Sequence, residues 1–242
     1  MTISAEPRNW LLRQIEPPLL QQAQAKMQRV ELEKGQVLLH QGDEVTSVYF
    51  PEGALIGLIS GMPGGDSVQT AMVGWDGAFG VFEACGTRRS GFHAEVQVSG
   101  TAWKLPADEY RRLFHTSDGL RIGVHKYIEV LLTESRQHVA CNALHNVQAR
   151  LSRSILEALE RSRDGRVLPV TQEAVAQMLG VQRTTVTAAM ADLQAKSILR
   201  SVRGAIEVLD AAALERDACC CRETIQVARR EVYESDEEVC DS

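Results

Sequence analysis

The spacing of apolar residues divides the chain into regions with different periodicities. Residues 9 to 30 have the pattern of one or two short amphipathic helices, interrupted at Pro17 and Pro18. Beyond them, short segments with alternating or β-branched apolar residues recur about every ten residues, separated by Gly, Asp and Pro. Examples are VELEKGQVLLHQGD and SVYFPEGALIGLIS. Because no long helical pattern lies between these segments, they predict a compact all-β unit, a jelly roll or small barrel.

A long helical pattern follows the short helix predicted for PADEYRRLF and begins at Ser117 or Asp118. Steps of three and four residues align its seam residues along one face, which suits either a helix buried in its own domain or a helix paired across a two-fold axis. The pattern leads directly into the next domain, and this favours the dimer helix. The predicted seam comprises Leu120, Val124, Ile128, Leu131, Ser135, His138, Asn142 and His145.

Residues 171–193 have the pattern of a helix-turn-helix. Thr171 can cap the first helix, Gly180 gives the turn its backbone freedom, and Ala176 is small where the helices cross. The downstream segment ILRSVRGAIEVLD predicts two strands joined at Arg203 and Gly204, a wing. The predicted shared core of the two helices comprises Val175, Leu179, Val181, Val186, Met190 and Leu193.

The predicted fold class is therefore α+β. We expect an N-terminal jelly-roll domain with its leading helices at residues 1–116 and a long central dimerisation helix at 117–145. A winged helix-turn-helix domain follows at 146–214, and an acidic tail at 215–242, which we expect to be disordered from REVYESDEEVCDS onward.

The second helix of the helix-turn-helix leaves polar and small side chains facing outward, as a recognition helix in the major groove does. Arg183 can donate two hydrogen bonds to a guanine edge, and the Ala188 methyl can contact a thymine methyl. On the wing, Arg203 is placed to contact phosphate. The full set of candidate DNA contacts comprises Thr171, Gln172, Gln182, Arg183, Thr184, Thr185, Thr187, Ala188 and Arg203.

Composition and charge agree with a DNA-binding protein. Of the 242 residues, 44% are hydrophobic and 24% charged, as in ordinary soluble domains, and no stretch approaches the roughly 18 to 20 apolar residues of a membrane span. The N-terminus also lacks a signal-peptide core, so we expect a cytoplasmic location and no membrane partner. The net charge of −6 combines −3 over residues 1–149, +4 over residues 150–205 and −7 over residues 207–242, so the overall sign does not exclude double-stranded DNA as partner.

An enzyme is the main alternative from another class. A cupin-like metal site in the β unit needs a histidine cluster, and His40 and His93 are too few for one. No P-loop, HExxH motif or nucleophile elbow occurs either, so we expect no catalytic residues. An interaction module with a vestigial helix-turn-helix would have lost the polar residues of its recognition face, which are present here.

The six cysteines are expected to be free thiols in a reducing compartment. Cys219, Cys220 and Cys221 are consecutive, so they point in different directions and form a poor chelate. With no histidine close by, tetrahedral zinc would need Cys240 or another chain, and we expect no metal site. Arg216 and Arg222 can depress the pKa of a nearby thiol, so a thiol-based redox sensor is one alternative. A haem sensor that uses His40, His93 or Cys85 as ligand is another.

The order of these parts resembles the Crp/Fnr superfamily of bacterial transcription regulators over nearly the whole chain. VELEKGQVLLHQGD and SVYFPEGALIGLIS resemble the superfamily's cyclic-nucleotide-binding-like sensing domain, and residues 171–210 resemble its winged helix. The resemblance implies a homodimer joined by the long helix, a palindromic operator read by one recognition helix per half-site, and RNA polymerase as partner if the protein is an activator. The family's base-contacting positions fall on Arg183, Thr184 and Thr187 or Ala188. Many family members have a glutamate at the position of Thr184, so the preferred half-site should differ from that of the best-known members.

The sensing domain departs from the family's nucleotide-binding pattern, which has a Gly-Glu pair and an Arg-Ser or Arg-Thr pair followed by Ala. Here Gly91 follows Arg89 and Ser90, and the nearest acid is Glu83, at the wrong spacing. These three residues are the candidate effector site, and we expect an effector other than a cyclic nucleotide. No cysteine precedes Cys85, which argues against the family's N-terminal iron–sulfur cluster. The cofactor, if one exists, is not predicted.

Overall fold

The computed structural model describes residues 7–162 and 165–234, which form two compact units. The first unit contains the described residues up to Val124 together with 161 and 162, and the second contains 125–160 and 165–234. No helix in the described ranges has the length and hydropathy of a membrane span.

The first unit begins with two short helices, α1 (Trp10–Arg13) and α2 (Pro17–Gln24). Asn9 caps α1, and its side-chain amide donates hydrogen bonds to the carbonyl oxygens of Pro51 and Gly77. The predicted interruption at the two prolines is the start of α2, where a missing amide proton costs no helical hydrogen bond.

The β unit is a pair of antiparallel sheets, and it confirms the predicted jelly roll. One sheet has the order β1-β7-β3 and the other β2-β6-β4-β5. The core includes Leu32 and Ile56 from the strands and Phe79 from the segment before α3. The elements are β1 (Gln28–Leu32), β2 (Val37–Leu39), β3 (Ser47–Pro51), β4 (Leu55–Gly61), β5 (Ser67–Val73), α3 (Val81–Cys85), β6 (His93–Val98) and β7 (Gly100–Pro106).

Two helices follow the β unit, α4 (Ala107–Thr116) and the long α5 (Asp118–Leu144). The Ser117 hydroxyl caps α5 by accepting from the Leu120 amide at 3.0 Å. The Glu16 carboxylate accepts from the Ser117 hydroxyl and, at 2.9 Å, from the Gly119 amide. Gly119 must be a glycine because a Cβ there would overlap the backbone carbonyl of Gln14.

The long helix has the predicted start, but its exposed apolar side chains differ from the predicted seam. Leu120 and Val124 are buried inside the first unit, whereas Ser135 and Asn142 are exposed. Because Leu120 and Val124, the first two residues of the predicted seam, pack in the core of the first unit, the exposed large apolar residues of α5 lie at other positions. These exposed residues are Ile122, Leu132, Val139 and Leu144.

The second unit places a three-stranded antiparallel sheet, in the order β8-β10-β9, beside the helix-turn-helix. Leu151, Ile155 and Leu159, at steps of four residues along α6, are buried on one face. Its elements after α5 are α6 (Val147–Ser162), β8 (Val167–Leu168), α7 (Gln172–Leu179), α8 (Arg183–Ala195), β9 (Leu199–Val202), β10 (Ala205–Val208), α9 (Ala211–Asp217) and α10 (Cys221–Glu234).

The region expected to be a disordered acidic tail is helical as far as Glu234. Asp210 caps α9 by accepting from the Ala213 amide at 2.9 Å. In α10, Arg222 is buried and bonds to the carboxylates of Glu215 and Glu160. Residues 230–234, which we expected to be disordered, continue α10, and just before them Arg229 donates to Glu134 at 3.4 Å. The remaining residues 235–242, with Cys240, lie outside the described ranges.

Candidate DNA-binding interface

The turn between α7 and α8 has the geometry that its sequence predicts. The Thr171 hydroxyl accepts from the Ala174 amide at 3.1 Å and caps α7. Gly180 ends the helix in the left-handed conformation, at φ 62° and ψ 41°, which glycine adopts without steric cost. Val181 and Gln182 separate Gly180 from α8, which begins at Arg183.

The two helices share a buried core that fixes their orientation. Val175 and Leu179 of α7 and Val186, Met190 and Leu193 of α8 are all buried, as is Ala176. Val181, which we expected in this core, is only partly buried. Because Val186, Met190 and Leu193 occupy one side of α8, the other side faces solvent.

The exposed side of α8 carries the predicted recognition residues. Arg183 forms no ion pair or hydrogen bond through its guanidinium with the described residues, so its donors are available to a ligand. Thr185 is also exposed and lies beside this face. The exposed residues of this segment are Gln182, Arg183, Thr184, Thr185, Thr187 and Ala188.

A hydrogen bond connects the beginning of α7 to this exposed face. The Thr187 hydroxyl lies 2.9 Å from Oε1 of Gln172 and 3.0 Å from the carbonyl oxygen of Arg183. Gln172 therefore holds the Thr187 rotamer and lies at the edge of the same surface. The sequence predicts both residues as DNA contacts, but it does not predict this hydrogen bond.

The wing is a hairpin of β9 and β10 with Arg203 and Gly204 at its tip. Gly204 has a φ of 73°, which the tight turn requires. Within the hairpin, Arg200 donates to Glu207 at 3.0 Å, so that cation is neutralised by its cross-strand partner. Arg203 is exposed at the tip and has no ion-pair partner among the residues described.

The three candidate effector residues lie near one another in the chain but differ in their surroundings. Glu83 is partly buried on α3, and desolvation raises the pKa of its carboxyl group. Arg89 is exposed and donates to the carbonyl oxygen of Gly42 at 2.8 Å. Ser90 is buried, and its hydroxyl donates to the carbonyl oxygen of Phe92 at 2.6 Å. The two residues that would hold a phosphate thus use these donors within the loop.

Of the three candidate haem ligands, the structure brings His40 and His93 close to each other. The rings of His40 and His93 have centroids 5.2 Å apart, and Nε2 of His93 lies 3.5 Å from a carboxylate oxygen of Glu95. Cys85 is exposed at the end of α3.

The sequence analysis missed a group of residues in the second unit. The expectation that no histidine lies near the consecutive cysteines is wrong, because His145 lies beside Cys220 and Cys221, and Cys141 beside Cys219. These contacts join positions more than seventy residues apart. A spacing of four residues between Cys141 and His145, which puts both on one helical face, is the signal that could have indicated them.

Comparisons with known proteins agree with this architecture. Residues 29–117 match the cyclic nucleotide-binding domain family, and residues 149–217 match the Crp-like helix-turn-helix domain family. A comparison with curated proteins gives no significant match.

Several solved structures share the fold. TTHB099, a CRP-family transcriptional regulator from Thermus thermophilus, has a TM-score of 0.67 and 20% identity, covering 78% of this chain and 96% of that chain. FixK2 from Bradyrhizobium japonicum has a TM-score of 0.68 and 13% identity, covering 80% and 98%. The c-di-GMP responsive global regulator CLP of Xanthomonas campestris has a TM-score of 0.64 and 14% identity, covering 80% and 99%.

The two domain families match in the order, and at the places, where the structure has its jelly roll and its winged helix-turn-helix. The chain therefore belongs to the Crp/Fnr superfamily of bacterial transcription regulators, and it is not an enzyme.

Proposed function

We propose that this regulator is a homodimer that reads a two-fold symmetric operator, with one α8 helix in the major groove of each half-site. The observation that carries the proposal is the division of α8 into a buried apolar side and an exposed polar side with Arg183 at its N-terminus. The match of residues 149–217 to the Crp-like helix-turn-helix domain family supports this side as the one that faces DNA.

The proposed contacts divide into base readers and phosphate contacts. Arg183 pairs with a guanine edge, and the Ala188 methyl group faces a thymine methyl. Gln182, Thr184 and Thr187 each contact a base or a phosphate. The contacts to the DNA phosphate backbone, which set the register of the helix on the duplex, come from Thr171, Gln172, Thr185 and Arg203.

The proposed dimer forms through α5. Val139 and Leu144 are 72% and 78% exposed, and Ile122 and Leu132 are each about half exposed. Ile122, Leu132 and Val139 follow steps of ten and seven residues, so they share one side of the helix. Pairing two copies of α5 would remove these side chains from water, at roughly 25 cal/mol per Å² of apolar area buried.

The proposed effector is not a cyclic mononucleotide. An anion site needs donors that are free to turn toward the ligand, and the Ser90 hydroxyl and the Arg89 guanidinium bond to backbone carbonyls. CLP, which has the same fold, is described as c-di-GMP responsive, so a cyclic dinucleotide belongs among the ligands to test. If the protein is an activator, RNA polymerase is its second partner.

The test is a comparison of three proteins on the DNA upstream of the regulator's own gene: the wild type, Arg183→Ala and Arg203→Ala. We expect Arg183→Ala to cost about 1 to 3 kcal/mol per half-site and to relax specificity at one base position. We expect Arg203→Ala to weaken all sequences alike and to reduce the dependence of affinity on salt. Fluorescence anisotropy over a series of salt concentrations measures both effects.

Both substitutions replace an exposed arginine by alanine, so each is the control for the other, and far-UV circular dichroism checks that both fold. The proposal fails if the wild type binds this DNA no better than random duplex. It also fails if Arg183→Ala leaves the preferred sequence unchanged. Sedimentation of the complex should give two chains per operator, and one chain per operator would contradict the dimer.

A further inference from the structure

Four side chains with metal-ligating atoms converge within the second unit, and we refer to Cys141, His145, Cys219 and Cys221 as the Cys3His cluster. The three cysteines are buried and the histidine is partly buried. One ligand atom from each of the four lies within 4.8 Å of all the others. The proposed DNA contacts do not include any of these residues, so the cluster has no role in the function argued above.

Local chain geometry brings each pair of ligands into position. Cys141 and His145 are four residues apart, and the His145 amide donates to the Cys141 carbonyl oxygen at 3.0 Å, so the two side chains lie on one face at the end of α5. The other pair, Cys219 and Cys221, flanks the beginning of α10. The Cys219 amide donates to the carbonyl oxygen of Ala149 on α6 at 3.3 Å, which fixes this turn against the helices.

The distances within the cluster match one tetrahedral ion. The sulfurs of Cys141 and Cys219 are 3.4 Å apart, and Sγ of Cys221 is 3.4 Å from Nδ1 of His145. A zinc ion about 2.3 Å from each sulfur and about 2.0 Å from nitrogen requires sulfurs about 3.8 Å apart and a sulfur–nitrogen separation of about 3.5 Å. A cubic iron–sulfur cluster has its thiolates farther apart, because each binds a different iron atom.

A positively charged side chain lies near the thiols of Cys141 and Cys219. Three thiolates and one divalent ion carry a net charge of −1, and the Arg153 guanidinium acts on Cys141 and Cys219 as a nearby positive charge. Gln137 donates from Nε2 to the Cys221 sulfur at 3.0 Å, an outer contact that orients a ligand.

We propose that the Cys3His cluster binds one Zn²⁺ ion, with Cys141, Cys219 and Cys221 as thiolates and His145 as a neutral imidazole. Binding releases three thiol protons and forms three Zn–S bonds and one Zn–N bond. Four protein ligands close the coordination sphere, so the ion is structural and not catalytic. It would fasten the start of α10 to the end of α5. This inference does not depend on DNA binding.

The first experiment uses the full-length wild type without an affinity tag. We expect about one zinc ion per chain by inductively coupled plasma mass spectrometry after expression in zinc-supplemented medium. Replacing zinc by Co²⁺ should produce the intense visible bands of a tetrahedral ion and a sulfur-to-cobalt charge-transfer band. Because both measurements use the wild type, they test the site even if a variant fails to fold.

The second experiment assigns the ligands. Cys141→Ser and Cys219→Ser should each weaken zinc binding by roughly 100-fold or more in competition with a chromophoric chelator. Cys220→Ser tests the neighbouring thiol, which is exposed and outside the cluster but lies 3.8 Å from Nε2 of His145, and it should weaken zinc binding far less than either ligand variant. Cys85→Ser controls for a cysteine in the other unit.

Several results would overturn the proposal. They are the absence of zinc together with no cobalt spectrum, the visible absorbance of an iron–sulfur cluster, and a site lost in Cys220→Ser but kept in Cys219→Ser. A Cys141–Cys219 disulfide in the protein as isolated, with no metal bound after reduction, would also refute it. Such a disulfide needs an external two-electron oxidant, and it would support a thiol switch in place of a metal site.

Discussion

Replacing Gly119 by alanine should destabilise the first unit, although helix propensity predicts the opposite. Alanine in place of glycine inside a helix is worth about 1 kcal/mol in favour of folding. At this position the added methyl group would overlap the backbone carbonyl of Gln14, and that carbonyl would have to retreat by about 1 Å. Overpacking of this kind costs about 1 to 3 kcal/mol.

The displacement also affects the cap of α5. Glu16, two residues beyond Gln14, accepts hydrogen bonds from Ser117 and Gly119, and weakening such charge-assisted bonds costs a further 1 to 2 kcal/mol, roughly. After the gain in propensity is subtracted, we expect Gly119→Ala to lower the free energy of unfolding by about 1 to 4 kcal/mol.

Urea denaturation followed by tryptophan fluorescence measures this change in one unit alone. The chain has three tryptophans, Trp10, Trp75 and Trp103, and all lie in the first unit. Gly123→Ala is the comparison, since its three nearest contacts are side-chain atoms of Gln14 and Leu11, the closest at 2.9 Å, so we expect a smaller loss of stability than for the backbone overlap at Gly119. A Gly119→Ala protein as stable as the wild type, or a Gly123→Ala protein equally destabilised, would refute the reasoning.

Three further predictions concern the cap and the core. Hydrogen bonds from Ser117 and Gly119 lower the pKa of Glu16, so its contribution to stability is present above about pH 4.5 and is lost as the pH falls through the folded-state pKa. Glu16→Gln should therefore reduce the difference in urea midpoint between neutral and acidic pH, and an unchanged difference would contradict this. Thr171→Ala should cost about 1 kcal/mol of stability in the second unit by circular dichroism, whereas Thr171→Ser should be close to neutral. Met190→Ala should cost about 2 to 5 kcal/mol, because Met190 is fully buried where α7 and α8 meet, and hydrogen exchange of α8 amides should show the loss.

Most of the helix-turn-helix could be predicted because it depends on neighbouring residues. A hydroxyl at Thr171, a glycine at position 180 and the spacing of Val186, Met190 and Leu193 act within a few residues of one another. Each of these features has one favourable geometry, and the structure shows it. The jelly roll could be predicted for the same reason, from alternation within single strands.

Two features could not be predicted, because they depend on contacts between distant segments. The acidic composition of residues 215–242 suggests a solvated tail, and only the pairing of Arg222 with Glu160 and Glu215 allows that residue to be buried. The Cys3His cluster likewise joins two short motifs, and neither motif alone supplies enough ligands for a metal. Its existence depends on the packing of α10 near the end of α5.

The separation of α8 into two sides has a consequence for the evolution of this regulator. The side chains proposed to read DNA are exposed and share no position with the buried Val186, Met190 and Leu193. Substitutions on the exposed side can change the preferred operator while the folded domain stays intact. A duplicated gene could therefore acquire a new set of target promoters in a few steps. For the same reason, a library randomised at Gln182 and Thr184 should consist mostly of folded proteins with altered sequence preference.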